Sequence, residues 1–552
     1  MEPANTTRKI LLRVLYGFIF FSIVVTLTGI WGLKPLLSSR IKEAILTSTN
    51  GLYQIDFKDI QYSPMTGNAE IRAVTWMADS MLFDKLRNQK KLPNNVFKCK
   101  VEEIKLTGLK PWTIIFSKKL NINTILVKNP LIEILHEKHA YNNSNKAKTP
   151  YQTISKFVES FSVDKINLEN IGLTYTNLSK SKRTKSSRIA SLDLEISNLL
   201  IDSLSHKDTA RFYYTKECII KLKKLEIPSA DSLNTFSLNM LVFSSENRTL
   251  TIEKLAFQPH HKPFEYGNRS NGDDRVEILC EAIKISEVDI EKLLEEKKIY
   301  AKELSIDKGR LNVFSDERPF VRPPRINYRL YPHQAFVQLH LKFNIQQIKL
   351  RQVNVTFSQY NPETRLTGFL YFNSINGKIK NVTNDTIPLQ QNPFCEANLS
   401  TRFMKKNPVN LTFNFNLKDP KGAFRCKGEV SSMPLSDINQ ITNALAKAKV
   451  DSGILDSFSF NLQGDKYGLR GPVTFLYHDL KVSLMKEQEN TKVMKIKRFL
   501  SFFANKSVLK RSNPIRNKPA KTVTVNYQRN PQKGFFTTVW LALVEGIRGT
   551  VM

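Results

Sequence analysis

Histidines, cysteines and carboxylates carry most catalytic and metal chemistry, and their spacing in this chain assembles none of the familiar sites. His136 and His139 stand close together in H-E-K-H, but they follow a strand pattern into a polar stretch and read as surface histidines. His260 and His261 are adjacent, so on a strand they would point to opposite faces and share no metal. Asp273 and Asp274 fall in a Gly/Asn-rich turn, whose own chemistry accounts for acidic side chains. There is no G-x-S-x-G elbow, no G-x-x-x-x-G-K-[ST] phosphate loop and no H-E-x-x-H zinc helix. Cys99, Cys218, Cys280, Cys395 and Cys426 are widely spaced with no C-x-x-C pair, which reads as single buried thiols. The expectation is a protein that is not an enzyme and has no catalytic residue, cofactor or metal.

What the chain offers instead is apolar surface. Val14 to Leu33 runs without a formal charge, preceded by Arg8, Lys9 and Arg13 and followed by Lys34. As a helix it is long enough for a ~30 Å hydrocarbon core. Its anchoring side chains are Val14, Leu15, Phe18, Ile19, Phe20, Phe21, Ile23, Val24, Val25, Leu27, Ile30, Trp31 and Leu33. A cleavable signal peptide would have a shorter apolar region ending in small residues of the A-x-A type. The expectation is therefore an uncleaved single-pass anchor in an inner membrane, with the N-terminus cytoplasmic and the body periplasmic.

Lys plus Arg number 83 against 50 for Asp plus Glu in 552 residues, a formal charge of +33. Such an excess attracts nucleic acid or anionic lipid. For an exported body, lipid headgroups are the fitting partner and nucleic acid is not. Part of the Lys and Asn content also reads as the bias of an AT-rich genome. The hydrophobic share of 41% is that of a folded chain.

The body alternates apolar and polar residues with the period of β-strands. Leu192, Leu194 and Ile196 form one such row, as do Leu339, Leu341 and Phe343 within a strand expected over 337–345. Leu411, Phe413, Phe415 and Leu417 form another, and Phe458, Phe460 and Leu462 a fourth. Helical periodicity between the strands is scarce, which argues against a parallel α/β sheet. The segment 101–138 aligns with 280–318 at an offset of about 179 residues, with Ile104 on Ile283, Leu120 on Ile299 and Ile132 on Leu311. Ile166, Leu168, Ile171 and Leu173 then fall on Ile348, Leu350, Val353 and Val355. Tyr53 onward likewise resembles Phe236 onward. The reading is two copies of a β unit that propagates one internal surface.

The expected organisation is a membrane anchor over 1–37, β-groove units over 38–234 and 235–392, a further β region over 393–486, and a basic tail over 487–552. The third region holds one helix, capped by Ser436, with Ile438, Ile441 and Leu445 on one face. In the tail, Val493, Ile496, Leu500 and Phe503 make an apolar stripe beside Lys492, Lys495, Lys497 and Arg498. The last helix carries Phe536, Val539, Trp540, Leu543, Val544 and Ile547 on a wide apolar face, either for a membrane or partner or for docking on the chain's own sheet.

These features resemble the AsmA-like family, the AsmA/TamB/YhdP type of periplasmic proteins in Gram-negative bacteria. The resemblance rests on the anchor, NGLYQIDFKDIQYSPMTGNAEIRAV from Asn50, VEEIKLTGLKPWTIIFSKKLNINTILVKNPLIEIL from Val101, and the segment from Ala423 through Val482. RSNP at 511–514 and FFTTVWLALVEGIRGTV at 535–551 resemble the closing pattern of the Bacteroidota version. The family implies a mainly β fold: a curved, elongated antiparallel sheet forming an apolar groove, behind a transmembrane helix and with few amphipathic helices near the C-terminus. It also implies binding and transfer of phospholipid or another acyl lipid in support of the outer membrane. Strands whose inner rows include Leu192, Leu194, Ile196, Leu339, Leu341, Phe343, Leu411, Phe413, Phe415, Leu417, Phe458, Phe460 and Leu462 would line the groove. The rival reading is a scaffold or assembly factor for outer-membrane or periplasmic proteins, in which the same rows are filled by the protein's own core. A polyanion binder would rest on charge alone.

Overall fold

The computed structural model describes residues 42–484 and 509–552, apart from 44, 47, 48, 50, 64, 110–112, 114–116, 138, 140–149, 156, 157, 179–184, 321–328 and 532. The expected anchor, Val14–Leu33, and the expected basic helix over 493–503 lie outside the described residues. Among the described residues no helix is long and apolar enough to cross a membrane. The protein is mainly β and divides into two units, residues 1–225 with 240–250, and residues 226–239 with 251–552.

In the first unit, β1 (Tyr53–Asp56) and β2 (Asp59–Ser63) both pair with β3 (Asn68–Ala78). Helix α1 (Ser80–Asn88) follows, started by the Asp79 carboxylate, which accepts from the Leu82 N–H at 2.8 Å. β3 pairs with β4 (Asn95–Thr107), and β4 with both β5 (Lys119–Lys128) and β6 (Leu131–His136). β5 and β6 each run parallel to β7 (Ser160–Asn177), which is reached through α2 (Pro150–Ile154). β8 (Lys185–Ile201) and β9 (Glu217–Pro228) then add antiparallel. The registers align apolar side chains into straight rows. Ala69, Leu106, Ile125, Ile166 and Ile196 form one, and Ile71, Ile104, Val127, Leu168 and Leu194 the next. Ile45, Leu109, Ile154 and Val158, from segments outside the strands, are buried in the same core.

After the strands β10 (Asn234–Ser244) and β11 (Thr249–Pro259) comes α3 (Pro263–Arg269). In the second unit β12 (Arg275–Val288) pairs antiparallel with β13 (Lys298–Asp316). β13 runs parallel to β14 (Lys342–Asn361), which follows α4 (Pro332–Val337). β14 pairs antiparallel with β15 (Leu366–Thr383), followed by α5 (Thr386–Gln391). An antiparallel succession continues through β16 (Phe394–Phe403), β17 (Asn407–Asn416) and β18 (Phe424–Val430). β19 (Met433–Pro434) and β18 both pair with β20 (Ala448–Gly464), which is preceded by α6 (Asn439–Ala446). β21 (Gly468–Leu484) and β22 (Thr522–Gln528) complete the ladder, and α7 (Phe535–Val551) ends the chain.

The expectation of an antiparallel sheet is corrected by these parallel pairs, which give a mixed sheet. A parallel neighbour needs a long crossover, and the connections 137–159 and 317–341 supply it in each unit. The strand expected over 337–345 is also corrected. Pro332 opens α4, Val337 closes it, and Leu339 and Leu341 are exposed in the turn before β14, so only Phe343 of that row lies on a strand. Ser436 caps no α-helix, because it sits inside the 3-10 turn Leu435–Ile438 that precedes α6. The last helix forms as its periodicity predicts.

Left-handed backbone stands at Lys118, Asn129, Asn170 and Asn198 in the first unit and at Lys297, Lys308, Gln352 and Asn381 in the second. Asn tolerates this conformation through local hydrogen bonding, whereas Lys and Gln adopt it at a cost that the surrounding ladder must offset. At the start of β13, burial opposes ionisation of Asp385. The Lys298 ammonium at 3.0 Å and the Tyr300 hydroxyl at 2.9 Å outweigh it and hold the carboxyl below its ordinary value.

Helix α7 approaches the sheet closely because glycines face it. A Cβ on Gly546 would stand 2.6 Å from Val473 Cβ, and one on Gly549 2.9 Å from a Val523 methyl. Gly546→Val should therefore destabilise the second unit by roughly 1–3 kcal/mol through overpacking. Thermal unfolding followed by circular dichroism checks this, and an unchanged midpoint would mean the helix does not need that contact.

Candidate functional site

The registers of the second unit build one face from side chains that alternate with polar neighbours along every strand. Ile285, Leu304, Ile348, Ile379, Ala397 and Phe413 stand opposite one another across β12 to β17, and Cys426 and Leu462 continue the row. Ile278, Leu311, Val355, Phe372 and Phe403 make a second row, and Val276, Val313, Phe357 and Leu370 a third. The opposite face carries ion pairs. Glu303 meets Lys349 at 2.6 Å, Glu287 meets Lys302 at 2.7 Å, and Asp307 meets Arg351, whose second hydrogen bond is 2.8 Å. The hydrogen bond from Lys349 to Glu303, and that from Arg351 to Asp307, hold both carboxyls below their ordinary values.

The apolar face has two different environments. Over β16 to β22 it is covered by the chain itself. Phe535 of α7 packs 5.0 Å from Phe424, 5.3 Å from Tyr331 and 5.9 Å from Phe415, ring centre to ring centre. Arg529 stacks on Tyr331 at 4.1 Å and donates to the carbonyls of Arg329 and Lys533, which fixes the start of α7. α6 adds Ile441 against Leu370, and Leu389 of α5 packs with Cys395 and Leu417. Over β12 to β14 the rows differ. Ile278, Ile283, Leu304, Ile306, Leu311, Ile348, Leu350, Val353 and Val355 are half-buried, neither sealed in a core nor standing singly in water, while Ile285 at the head of the first row is buried. Together they make a contiguous apolar surface that the described residues leave partly open.

In the first unit the same contrast holds on a smaller scale. Ile104, Leu106, Ile125, Val127 and Ile166 are buried, whereas Leu192, Leu194, Cys218, Ile220 and Leu222 are half-buried.

Of the residues expected to line a groove, Leu192 and Leu194 are thus half-open and Ile196 buried. Phe343 is half-buried at the start of β14, and Leu339 and Leu341 stand exposed off the strand. Leu411, Phe413 and Phe415 pack against the core that α7 covers, Leu417 is buried just after β17, and Phe458, Phe460 and Leu462 are buried. On α7, Leu543 is buried and Val539, Trp540, Val544 and Ile547 half-buried, with Val539 and Ile547 against the C-terminal core. Phe536 is 57% exposed. Apart from Phe343, the half-open rows of β12 to β14 were not among the expected lining residues; Ile283 and Leu311 align in sequence with Ile104 and Ile132, which are buried in the first unit.

Among the described residues no three His, Cys, Asp or Glu side chains are placed to hold a metal. His136 is corrected from a surface residue to a buried one, because the end of β6 carries it beneath Tyr175 with Nδ1 2.7 Å from Asn95 Oδ1. The five cysteines are free, and burial pushes Cys99, Cys218, Cys395 and Cys426 up to about 12, far from a reactive thiolate. A concavity of about 930 Å³ is lined by Asn414, Arg425 and Arg470 together with Phe394, Leu469 and Tyr527, a mixed polar and apolar wall. Comparison with protein-family profiles and with characterised proteins finds no match to this chain.

The covered end contains a titratable group. His333 lies 4.8 Å from the Phe415 ring and donates from Nε2 to the Gly422 carbonyl, while among the described residues its Nδ1 has no hydrogen-bond partner. Burial lowers it from 6.5 to about 4. The unfolded chain therefore binds a proton before the folded one does, so stability is complete above about pH 6.5 and declines as pH falls toward 4. Hydrogen exchange of the β17 and β18 amides should show up to ~3 kcal/mol less protection at the acid end. His333→Phe should flatten that dependence, and an equal slope in both proteins would remove His333 as its source.

Proposed function

We propose that this chain is a non-enzymatic, membrane-anchored periplasmic protein that binds acyl lipid on the half-open apolar rows and supports its transfer toward the outer membrane. The observation that carries the reading is the in-register, half-buried row set of β12 to β14. Each methylene removed from water on such a surface contributes roughly 0.8 kcal/mol, so a single acyl chain laid along several rows would be held without any polar recognition. Headgroups would stay outside, near the Lys, Arg and Glu side chains of the other face and edges.

The two units add a second argument. In both, an antiparallel pair, a parallel pair and another antiparallel pair follow in the same order. The parallel registers are equivalent: Leu120 meets Phe161 and Val127 meets Leu168 in one, and Ile299 meets Phe343 and Ile306 meets Leu350 in the other. The left-handed residues named above also stand at corresponding positions. We read this as duplication of one β unit, which would repeat a single apolar surface along the chain. The N-terminal run Val14–Leu33 would tether that surface to the inner membrane.

A scaffold for envelope proteins remains the second reading, favoured by the C-terminal part, where Phe535 and α7 fill the same rows with the chain's own side chains. Photo-crosslinking separates the two. A photoreactive phenylalanine analogue at Ile348 or Leu311 in the full chain should form lipid adducts in cells, and one at Lys349 should form few. Protein adducts at Ile348 in place of lipid would support the scaffold, and Ile348→Asp that leaves lipid occupancy unchanged would refute the lipid reading.

A further inference from the structure

The segment from Lys510 to Lys521 carries Lys510, Arg511, Arg516, Lys518 and Lys521 and no Asp or Glu. It is a built loop. Buried Asn513 donates to the Phe475 carbonyl at 2.8 Å and the Lys521 carbonyl at 3.0 Å, and accepts from the Lys521 N–H at 2.8 Å. Its backbone exchanges two hydrogen bonds with Tyr477, whose hydroxyl donates to the Lys510 carbonyl at 3.0 Å. The Lys510 N–H donates to the Val551 carbonyl at the end of α7, 2.9 Å away. One buried amide thus closes the base of the loop and holds its rim outward, with every residue from Pro514 to Lys521 exposed.

The rim is electrostatically one-sided. Among the described residues none of the five cations forms an ion pair with a carboxylate. Lys510 is held below its ordinary value by burial and then by the charges of Lys521 and Lys518. Ile515 is exposed between these cations, next to Pro514 and near Pro519. Cations alone would suit any polyanion, but an exposed isoleucine among them gains nothing from a glycan or a nucleic acid. At a membrane interface, basic side chains meet headgroup phosphates while an apolar one enters the acyl boundary.

We propose that the loop 510–521 is a docking surface for an anionic phospholipid bilayer, with phosphates seated among Lys510, Lys518 and Lys521 and Ile515 entering the interface. The proposal stands on the loop alone and holds whether or not the apolar rows carry lipid.

The test uses the full chain reconstituted in phosphatidylcholine vesicles, so that the only anionic surface offered is a second, fluorescent vesicle. Those second vesicles contain phosphatidylcholine with or without phosphatidylglycerol. Capture of the phosphatidylglycerol vesicles is expected, and Arg516→Gln with Lys518→Gln and Lys521→Gln should reduce it by roughly fivefold for each charge removed. Lys378→Gln with Lys380→Gln and Lys449→Gln, the same charge change on strands β15 and β20, should stay within about twofold of the parent. Ile515→Ser should weaken capture at unchanged charge. Equal losses in the two triple variants would attribute capture to overall charge and overturn the proposal. So would a loop variant that captures vesicles like the parent, including one that loses binding to polygalacturonate instead, which would make an acidic glycan the partner.

Discussion

Strand register is the constraint on which the rest of this structure depends. Because side chains alternate between faces, a slip of one residue in any ladder would send a whole apolar row to the solvent side and bring Lys, Glu and Asn to the other. The registers instead keep Ile104 beside Val127 and Leu168, and Ile283 beside Ile306 and Leu350. The ion pairs of the polar face, such as Glu303 with Lys349, are too exposed to supply much stability. They do penalise wrong registers by setting like charges opposite each other. The left-handed residues Asn170 and Gln352 stand where β7 against β8 and β14 against β15 shift register and then resume the correct phase.

One apolar surface meets two fates along the second unit. Toward the C-terminus, α7 docks through Gly546 and Gly549, and Phe535 completes an aromatic cluster with Tyr331, Phe415 and Phe424. There the surface is ordinary core. Over β12 to β14 the same row pattern remains half-exposed, and the physical cost of leaving it so is what gives a binding reading its force. The covered end also explains why the closing segment of the sequence has its composition. Glycines on α7 permit close approach, and the buried Asn513 and Arg529 secure the loops that precede and follow β22.

Much of the β architecture was legible in the sequence, because period-2 alternation reports directly on which residues share a face. The stripe of α7 was equally clear, and it is the residues Val539, Leu543 and Ile547 that meet the core. Other features were not legible, for identifiable reasons. Alternation is silent on the direction of a neighbouring strand, so the parallel pairs β5–β7 and β13–β14 could not be read from it. Leu339 and Leu341 continue the alternation of β14 backward, yet Pro332 had already committed the chain to a helix that ends at Val337. His136 owes its burial to Asn95 and Tyr175, which are distant in sequence. Whether a row is sealed or open depends on elements such as α7 that lie far along the chain, and for that reason alternation could not separate Phe458, Phe460 and Leu462, which are buried, from Leu192 and Leu194, which are half-open.

The most direct test is an electron cryomicroscopy map of the full chain in a lipid nanodisc. The account predicts elongated density, not attributable to protein, lying along Ile283, Ile306 and Leu350 and along Leu304 and Ile348. A map in which those side chains are bare, or are covered by another part of the protein, would contradict it.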